Sequence, residues 1–574
     1  MKNIPYMTAN RGLVLSLFFA LLFILLSILP ARVCAQQIYE IENPKREVRA
    51  VWLTTISGLD WPRTRAVSQS GIERQKRELV DILDKLQQAN INTVLLQTRI
   101  RGTVIYPSSI EPWDECLTGR PGVNPGYDPL AFAVEECHKR GMELHAWLVT
   151  VPLGKTSMQR RYGSASVTRR RPELCRTVRG ESFMIPGKES TAAYVASLAG
   201  EIVRRYDVDG IHLDYIRYPE KSYGFSDDDL FRSSGSADKG EWRRENITRI
   251  VRAVHDTVVA VKPWVKLSSA PIGKYKDLSR YSSLGWNCLN AVYQDPQHWL
   301  SEGIQDMLFP MMYFLGDNFY PFLYDWKEGA GGRPVVPGLG IYFLDPREGR
   351  WSLSDVRQEM HAVRDAGIGG IALYRSDFFT RNCKGLYDMA SVSFFSRPAL
   401  TPRMVWRGDT VSPASTNGLN LSSSGVLSWN RSNETEDVFY NVYSSWHYPV
   451  DVADGRNLCA ARLLGNSFEV PELGLYYAVT VMDRYGNESE PCQLPSSCVA
   501  FSSGSATYKI ESDTVRFKPD PQALCVYVKD LPGKTVRVAL DDDFVVVSSL
   551  APGWYKLVKV LKSGKSEPMG IFMK

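Results

Sequence analysis

The chain has 574 residues and no Cys-x-x-Cys pair, and its seven histidines and ten cysteines never fall at zinc-ligand spacing. A structural zinc module is therefore excluded, and the reading calls for no metal and no cofactor. No serine stands in a Gly-x-Ser-x-Gly turn, which removes a nucleophile-elbow hydrolase. Basic and acidic residues nearly balance, 68 against 63, for a net charge of +5. That balance argues against a nucleic-acid partner. Beyond residue 35 no apolar run is long enough to cross a bilayer. One cysteine lies in the N-terminal leader, and the other nine are too odd a number to pair fully within the chain. Cys492 and Cys498 are near enough in sequence to bridge, and most of the rest read as small buried apolar residues.

The long apolar run that does occur is N-terminal. Lys2 and Arg11 precede Leu13 to Leu29, which is broken only by Ser16 and Ser27. Pro30 ends the run, and Val33-Cys34-Ala35 offers small residues for cleavage before Gln36. Residues 1–35 read as a signal peptide, and the mature chain as exported to the periplasm or cell surface. The run is short for a membrane anchor. A second reading makes Cys34 a lipid-attachment site at the outer membrane, but Ala31-Arg32-Val33 is a poor lipobox. Association with the cell envelope stays open.

From Arg46 to about Arg397 a unit recurs: an amphipathic helix, a Gly or Asn turn, then an apolar strand with a polar end. Eight strands are expected, at Val48–Thr55, Ile91–Arg99, Glu143–Val149, Gly210–Ile216, Val265–Pro271, Asp306–Phe314, Val335–Ile341 and Gly370–Arg375. The first long helix carries Leu79, Ile82, Leu83 and Leu86 on one stripe, and Asp128-Pro129 opens the next. Apolar strands alternating with helices indicate a parallel sheet buried on both faces. Eight of them make an α/β fold of the (β/α)8 barrel type over residues 36–400. An open doubly wound sheet would want a glycine-rich phosphate loop after the first strand, and Thr54-Thr55-Ile56-Ser57-Gly58-Leu59 is not one.

After Arg397 the pattern changes. Pro398, Pro402 and the Ser/Thr/Asn-rich stretch from Ser412 to Ser424 read as a linker and domain start. Short strands at Val426–Trp429, Val438–Tyr443, Ser467–Val470 and Tyr476–Met482 suggest a small antiparallel sandwich over 401–500. Trp429 and the Tyr-x-Val-x-Val-x-Asp ending resemble fibronectin type III modules. A further all-β domain occupies 501–574, and both C-terminal domains read as spacers or docking modules.

The candidate site residues sit just after the barrel strands, where such folds place their chemistry. Asp209 to Pro219 reads Asp-Gly-Ile-His-Leu-Asp-Tyr-Ile-Arg-Tyr-Pro, and strand parity puts Asp214 on the face opposite Ile211 and Leu213. Glycoside hydrolysis needs two carboxylates, one to protonate the leaving oxygen and one to attack or activate water. Glu111, between Ile110 and Pro112-Trp113, suits the acid because an apolar setting raises a carboxyl pKa. Asp214, with Arg217 and tyrosines nearby, suits the nucleophile or base. Arg99, Arg101, Tyr215, Arg217, Asp295, Tyr313, Tyr374 and Asp377 are expected to bind substrate, with Asp295 the fallback second carboxylate. The connection between Leu153 and Pro186 is strongly basic and would overhang the mouth, where it could attract an acidic polymer. His145 and His212 lie within strands and read as hydrogen-bonded core residues.

Several of these motifs together resemble the bacterial glycosyl-hydrolase-like 10 family. They are Arg49-Ala50-Val51-Trp52-Leu53-Thr54, Leu96-Gln97-Thr98-Arg99, Glu111-Pro112-Trp113, Asp209 to Pro219, and Phe309-Pro310-Met311-Met312-Tyr313-Phe314. The resemblance spans roughly Arg46 to Arg397. It implies a barrel hydrolase of a glycan polymer, and some members act on peptidoglycan strands stripped of their stem peptides. It supports Asp214 and Glu111 without saying which is the acid. A hydrolase of a dietary or host polysaccharide, and a glycan-binding barrel without turnover, are the alternatives.

Overall fold

The structure is a computed structural model. It describes residues 43–574 apart from 423, 435–436, 446–447, 471–475, 494–507, 512–513, 518–519, 521, 531–532, 534, 541–543, 548–549, 552 and 563–564. The leader, Cys34 and Cys498 lie outside the described residues.

Eight parallel strands form the first domain: β1 (Val48–Leu53), β2 (Thr93–Arg99), β3 (Glu143–Val149), β4 (Gly210–Asp214), β5 (Lys266–Ser269), β6 (Met307–Leu308), β7 (Gly338–Leu339) and β8 (Gly370–Leu373). They run in the order β7-β8-β1-β2-β3-β4-β5-β6. Parallel bridges Leu308↔Val335 and Met311↔Gly338 join the two ends, so the sheet closes into a barrel. The β6 and β7 ladders are shorter than expected, because Pro310, Pro334 and Pro337 cannot donate to them.

Helices return between the strands: α1 (Gln69–Gln88), α2 (Pro129–Lys139), α3 (Glu189–Arg205), α4 (Lys239–Val261), α5 (Pro296–Ser301), α6 (Tyr320–Glu328) and α7 (Leu353–Ala366). Local sequence sets their ends. Ser68 caps α1 by accepting from Gly71 N, Asp128 caps α2 from Ala131 N, and Ser352 with Asp355 forms a capping box on α7. Gly367, at φ 66°, stops α7. Leu79, Leu83 and Leu86 of α1 are buried as the stripe requires.

Two apolar layers result. Ile211 and Leu213 face outward into the strand–helix layer. Trp52, Trp147, Phe309 and Ala372 fill the barrel interior. His212 is in that interior, where it accepts from Trp52 Nε1 at 3.1 Å and bonds Ser268 Oγ at 3.0 Å. Burial pushes its pKa well down.

The sandwich after the linker has a three-stranded sheet (Asn420–Leu421, Val426–Ser428, Ser467–Glu469) and a four-stranded one (Leu458–Leu463, Phe439–Ser445, Tyr476–Met482, Cys492–Gln493). Tyr477, Val479 and Val481 alternate into its core with Trp429. The last domain repeats the same strand connectivity, three strands (Tyr508–Glu511, Thr514–Phe517, Phe544–Val546) on four (Thr535–Leu540, Ala523–Asp530, Trp554–Leu561, Ser566–Met573).

The first sandwich is not a free spacer: it plugs the base of the barrel. Arg462 reaches Glu143 at 3.2 Å and Asp209 at 2.6 Å, at the N-terminal ends of β3 and β4. Glu143 also pairs with Lys266 of β5 at 2.7 Å and accepts from Thr401 Oγ1 at 2.7 Å. The linker's Trp406 and Arg407 both bond Asp306, each at 2.7 Å. These cations hold Glu143 and Asp209 far below the ordinary carboxylate range against the desolvation of burial.

Candidate active site

The opposite end of the barrel carries Asp214, the last residue of β4. The strand stops there because Tyr215 turns left-handed, with φ at 50°. Tyr215 N then donates back to Asp214 Oδ1 at 2.7 Å. Trp147 Nε1, from β3, donates to Oδ2 at 3.0 Å. The backbone is pinned too, since Thr150 N and Oγ1 both donate to Asp214 O at 2.9 Å. Desolvation by burial raises the carboxyl pKa from 3.8 to about 6, against the lowering by Tyr215 N–H, Arg217, Trp147 and Arg101.

Tyrosines wall the carboxyl in. Tyr313 and Tyr374 stack with centroids 5.3 Å apart, and Tyr342 meets both edge-on at 5.8 Å. Burial raises the phenol pKa of Tyr313 and Tyr374, and the Asp214 charge adds to it in each case. The flat pair is a surface suited to a sugar ring. A cleft lined by Arg101, Glu181, Tyr215, Arg217 and Glu220, among others, opens beside Asp214. Arg217 lies over the Tyr215 ring at 4.6 Å and ion-pairs with Glu220 at 3.1 Å.

Glu111 does not have the expected setting of a general acid. Arg99 grips it in a bidentate pair, Nε to Oε2 at 2.8 Å and Nη2 to Oε1 at 2.7 Å. Tyr194 of α3 donates to Oε1 at 2.9 Å, and the side chain is fully buried. Both oxygens face donors of the chain and neither faces the cleft-lining groups. Arg99 in turn bonds the carbonyls of Val149 and Thr150, and Thr150 holds the Asp214 backbone. Arg99 and Glu111 thus position Asp214 from behind; they do not touch the cleft.

Two other expected ligands also stand elsewhere. Asp295 accepts from Tyr275 OH at 2.8 Å and lines a separate depression with Trp242, Arg244 and His298. Asp377 is taken by Arg63 at 2.5 Å and Arg381 at 2.8 Å, bracing the loop after β8. Arg101, Tyr215, Arg217, Tyr313 and Tyr374 do gather around Asp214. Trp147, Glu181 and Glu220 are neighbours that motif reading did not select. Trp147 had a signal, standing two residues from the end of β3, and Glu220 directly follows the Tyr-Pro that closes the Asp214 motif. Among the described residues no cluster of three His, Cys, Asp or Glu side chains could hold a metal ion.

The sequence model of the "Glycosyl hydrolase-like 10" family matches residues 47–325. DigH of Escherichia coli K12, named a glycosyl hydrolase, is 34% identical over 385 residues, 59% of this chain and 85% of that protein. The chain belongs to the glycosyl hydrolase-like 10 family. It is a glycoside hydrolase on a barrel scaffold. A second relative of similar sequence is the glycosyl hydrolase YngK of Bacillus subtilis, 29% identical over 482 residues, 78% of this chain and 92% of that one. Among solved structures, the PgaB glycoside hydrolase domain of Bordetella bronchiseptica aligns with 61% of this chain and 99% of its own, at 14% identity and a TM-score of 0.40. The family match ends within α6, so the sandwiches lie outside it.

Proposed function

We propose that this glycosidase is exported and cleaves an amino-sugar polymer, peptidoglycan strands without stem peptides, with Asp214 as its general acid. One observation carries the assignment: a carboxyl buried at the C-terminal mouth, walled by tyrosines, with its pKa raised to about 6. Such a group is largely protonated below about pH 6 and can there deliver its proton to the leaving oxygen. Trp147 Nε1–H and Tyr215 N–H then stabilise the carboxylate left behind. Glu220 is the second carboxylate. It lines the cleft that Tyr215 also lines, and its charge acts on that ring, which directly follows Asp214 in the chain. Export rests on the basic and apolar leader, and fractionation of cells producing the full chain tests it.

The test of the chemistry is fragment release from peptide-free glycan strands by Asp214→Asn and Glu220→Gln proteins, each checked for native unfolding behaviour. Loss of a general acid or base costs roughly 10²- to 10⁴-fold in rate. Full activity in Asp214→Asn would overturn the reading, and full activity in Glu220→Gln would move the second role to Glu181.

A further inference from the structure

The insertion after β3 folds into a small antiparallel sheet of Pro152–Lys155, Cys175–Val178 and Glu181–Met184, and Pro152, Glu181 and Phe183 line the cleft of Arg101, Tyr215 and Arg217. Residues 152–188 contain nine basic and two acidic side chains. Arg161 pairs with Glu115 at 2.6 Å, Arg171 with Glu173 at 2.6 Å and Arg176 with Asp229 at 3.1 Å. The remaining six have no carboxylate within ion-pair distance among the described residues. An ordinary solvated face would show mixed signs, and this insertion, three of whose residues line the cleft, is strongly cationic.

Inside the cleft the pattern continues. Arg101 has no acidic partner within ion-pair distance among the described residues, yet its charge reaches Asp214 and Tyr215. Arg217 is only 5% exposed, and its buried Nε and Nη1 donate no hydrogen bond among the described residues. The acids facing these two guanidiniums are Asp214, Glu220, which lies 3.1 Å from Arg217 Nη1, and Glu181. A buried guanidinium without a full set of acceptors is costly unless a ligand supplies them, and its planar fork fits a carboxylate.

We infer that the cleft recognises a free carboxylate on the glycan, held by Arg101 and Arg217, and that the basic insertion gathers the polyanionic strand. The inference rests on the glycosidase reading of Asp214 and names the group on the substrate that is read. In a peptidoglycan strand the lactyl carboxyl of each muramic acid is free only where the stem peptide is absent. Joined to a peptide it is a neutral amide that cannot pair with a guanidinium.

The experiment compares three substrates of equal length: peptide-free strands, the same strands with carboxyls converted to methylamides, and a neutral N-acetylglucosamine oligomer. The expected kcat/KM is at least about tenfold higher for the free carboxylates, the factor that roughly 1.4 kcal/mol supplies. Raising NaCl from about 50 to 500 mM should shrink that preference severalfold by screening the rim charges. Arg101→Met should bring the preference close to unity, and Arg101→Lys should restore part of it. Equal rates on free and amidated strands overturn the inference. So does an Arg101→Met protein that loses the same factor on both, since that marks a structural role. If the protein cleaves none of the three, the peptidoglycan assignment fails, and calorimetric binding of free against amidated strands still decides the carboxylate site. Tighter binding of the free form by about tenfold upholds it, and equal binding refutes it.

Discussion

At the scale of single residues, burial and hydrogen bonding act on the Asp214 carboxyl in opposite senses, and burial wins. The protonated form dominates below about pH 6, so an acid-catalysed rate should fall as pH rises through that value. A kcat/KM profile with its alkaline limb near 6 in the wild-type protein is the expected outcome, and a flat profile to pH 8 would show that Asp214 gives no proton. Glu111 behaves differently. Glu111→Gln removes the charge from a fully buried pair and leaves the Arg99 guanidinium uncompensated. Breaking such a pair typically costs about 3–5 kcal/mol. Urea unfolding should show a loss of that order, with reduced activity traced to a displaced Thr150–Asp214 contact. Glu111 was legible in the sequence as a buried carboxyl in an apolar setting. Its partner twelve residues earlier was not, because the loop that folds Glu111 back onto Arg99 carries no periodic signal.

Among the elements, strand identity followed from local pattern and strand length did not. β3 matches its expected bounds, and β4 ends two residues early at the left-handed Tyr215. That turn is what aims Asp214 at its own following N–H. The sandwich shows the same division. Tyr476–Met482 was visible from alternation, whereas Leu458–Leu463 was not, and it is the latter that carries Arg462 to the barrel base. Arg462 has φ at 54°, and Gly141 below it has φ at 69°, with Ala461 O only 2.4 Å from where a Cβ would stand. The interface therefore uses Gly141 for close approach and Arg462 for charge, beside Arg484, which pairs with Asp207 at 2.9 Å. Arg462→Ala leaves Glu143 and Asp209 without their shared cation, at a cost of about 3–5 kcal/mol for a broken buried pair. Limited proteolysis should then cut the 401–416 linker faster than in the wild type while leaving the barrel mouth intact; unchanged cleavage would show that the Arg407–Asp306 and Arg484–Asp207 pairs hold the docking without Arg462.

For the whole molecule, the two ends of the barrel impose opposite pH dependences. Glu143 and Asp209 at the base are held below their ordinary values of 4.5 and 3.8, so their contribution is present above those values and is lost as pH falls through them. Asp214, raised to about 6, contributes stability that is lost as pH rises from 3.8 to 6. Glu359 of α7 is pushed by burial to about 9, with neither oxygen hydrogen-bonded among the described residues, and extends that loss toward alkaline pH. Thermal stability should peak near pH 5 and decline toward pH 8. Differential scanning fluorimetry should show Asp214→Asn and Glu359→Gln each flattening the decline; a maximum near pH 8 would contradict the assignment of these buried acids.

By itself the sequence determined the repeating strand–helix unit, the eight-fold count, the family, and the place of Asp214 at a strand's C-terminal end. The unit, the count and the strand end are written in spacing, because apolar periodicity and strand parity act over a few residues, and the family is carried by its motifs. Only the tertiary structure decided that Glu111 braces the site, that Glu220 shares its cleft, and that the sandwich seals the base. Those outcomes depend on groups far apart in the chain meeting in a medium of low polarity, where each charge must find a partner, and no local pattern records which partner that is.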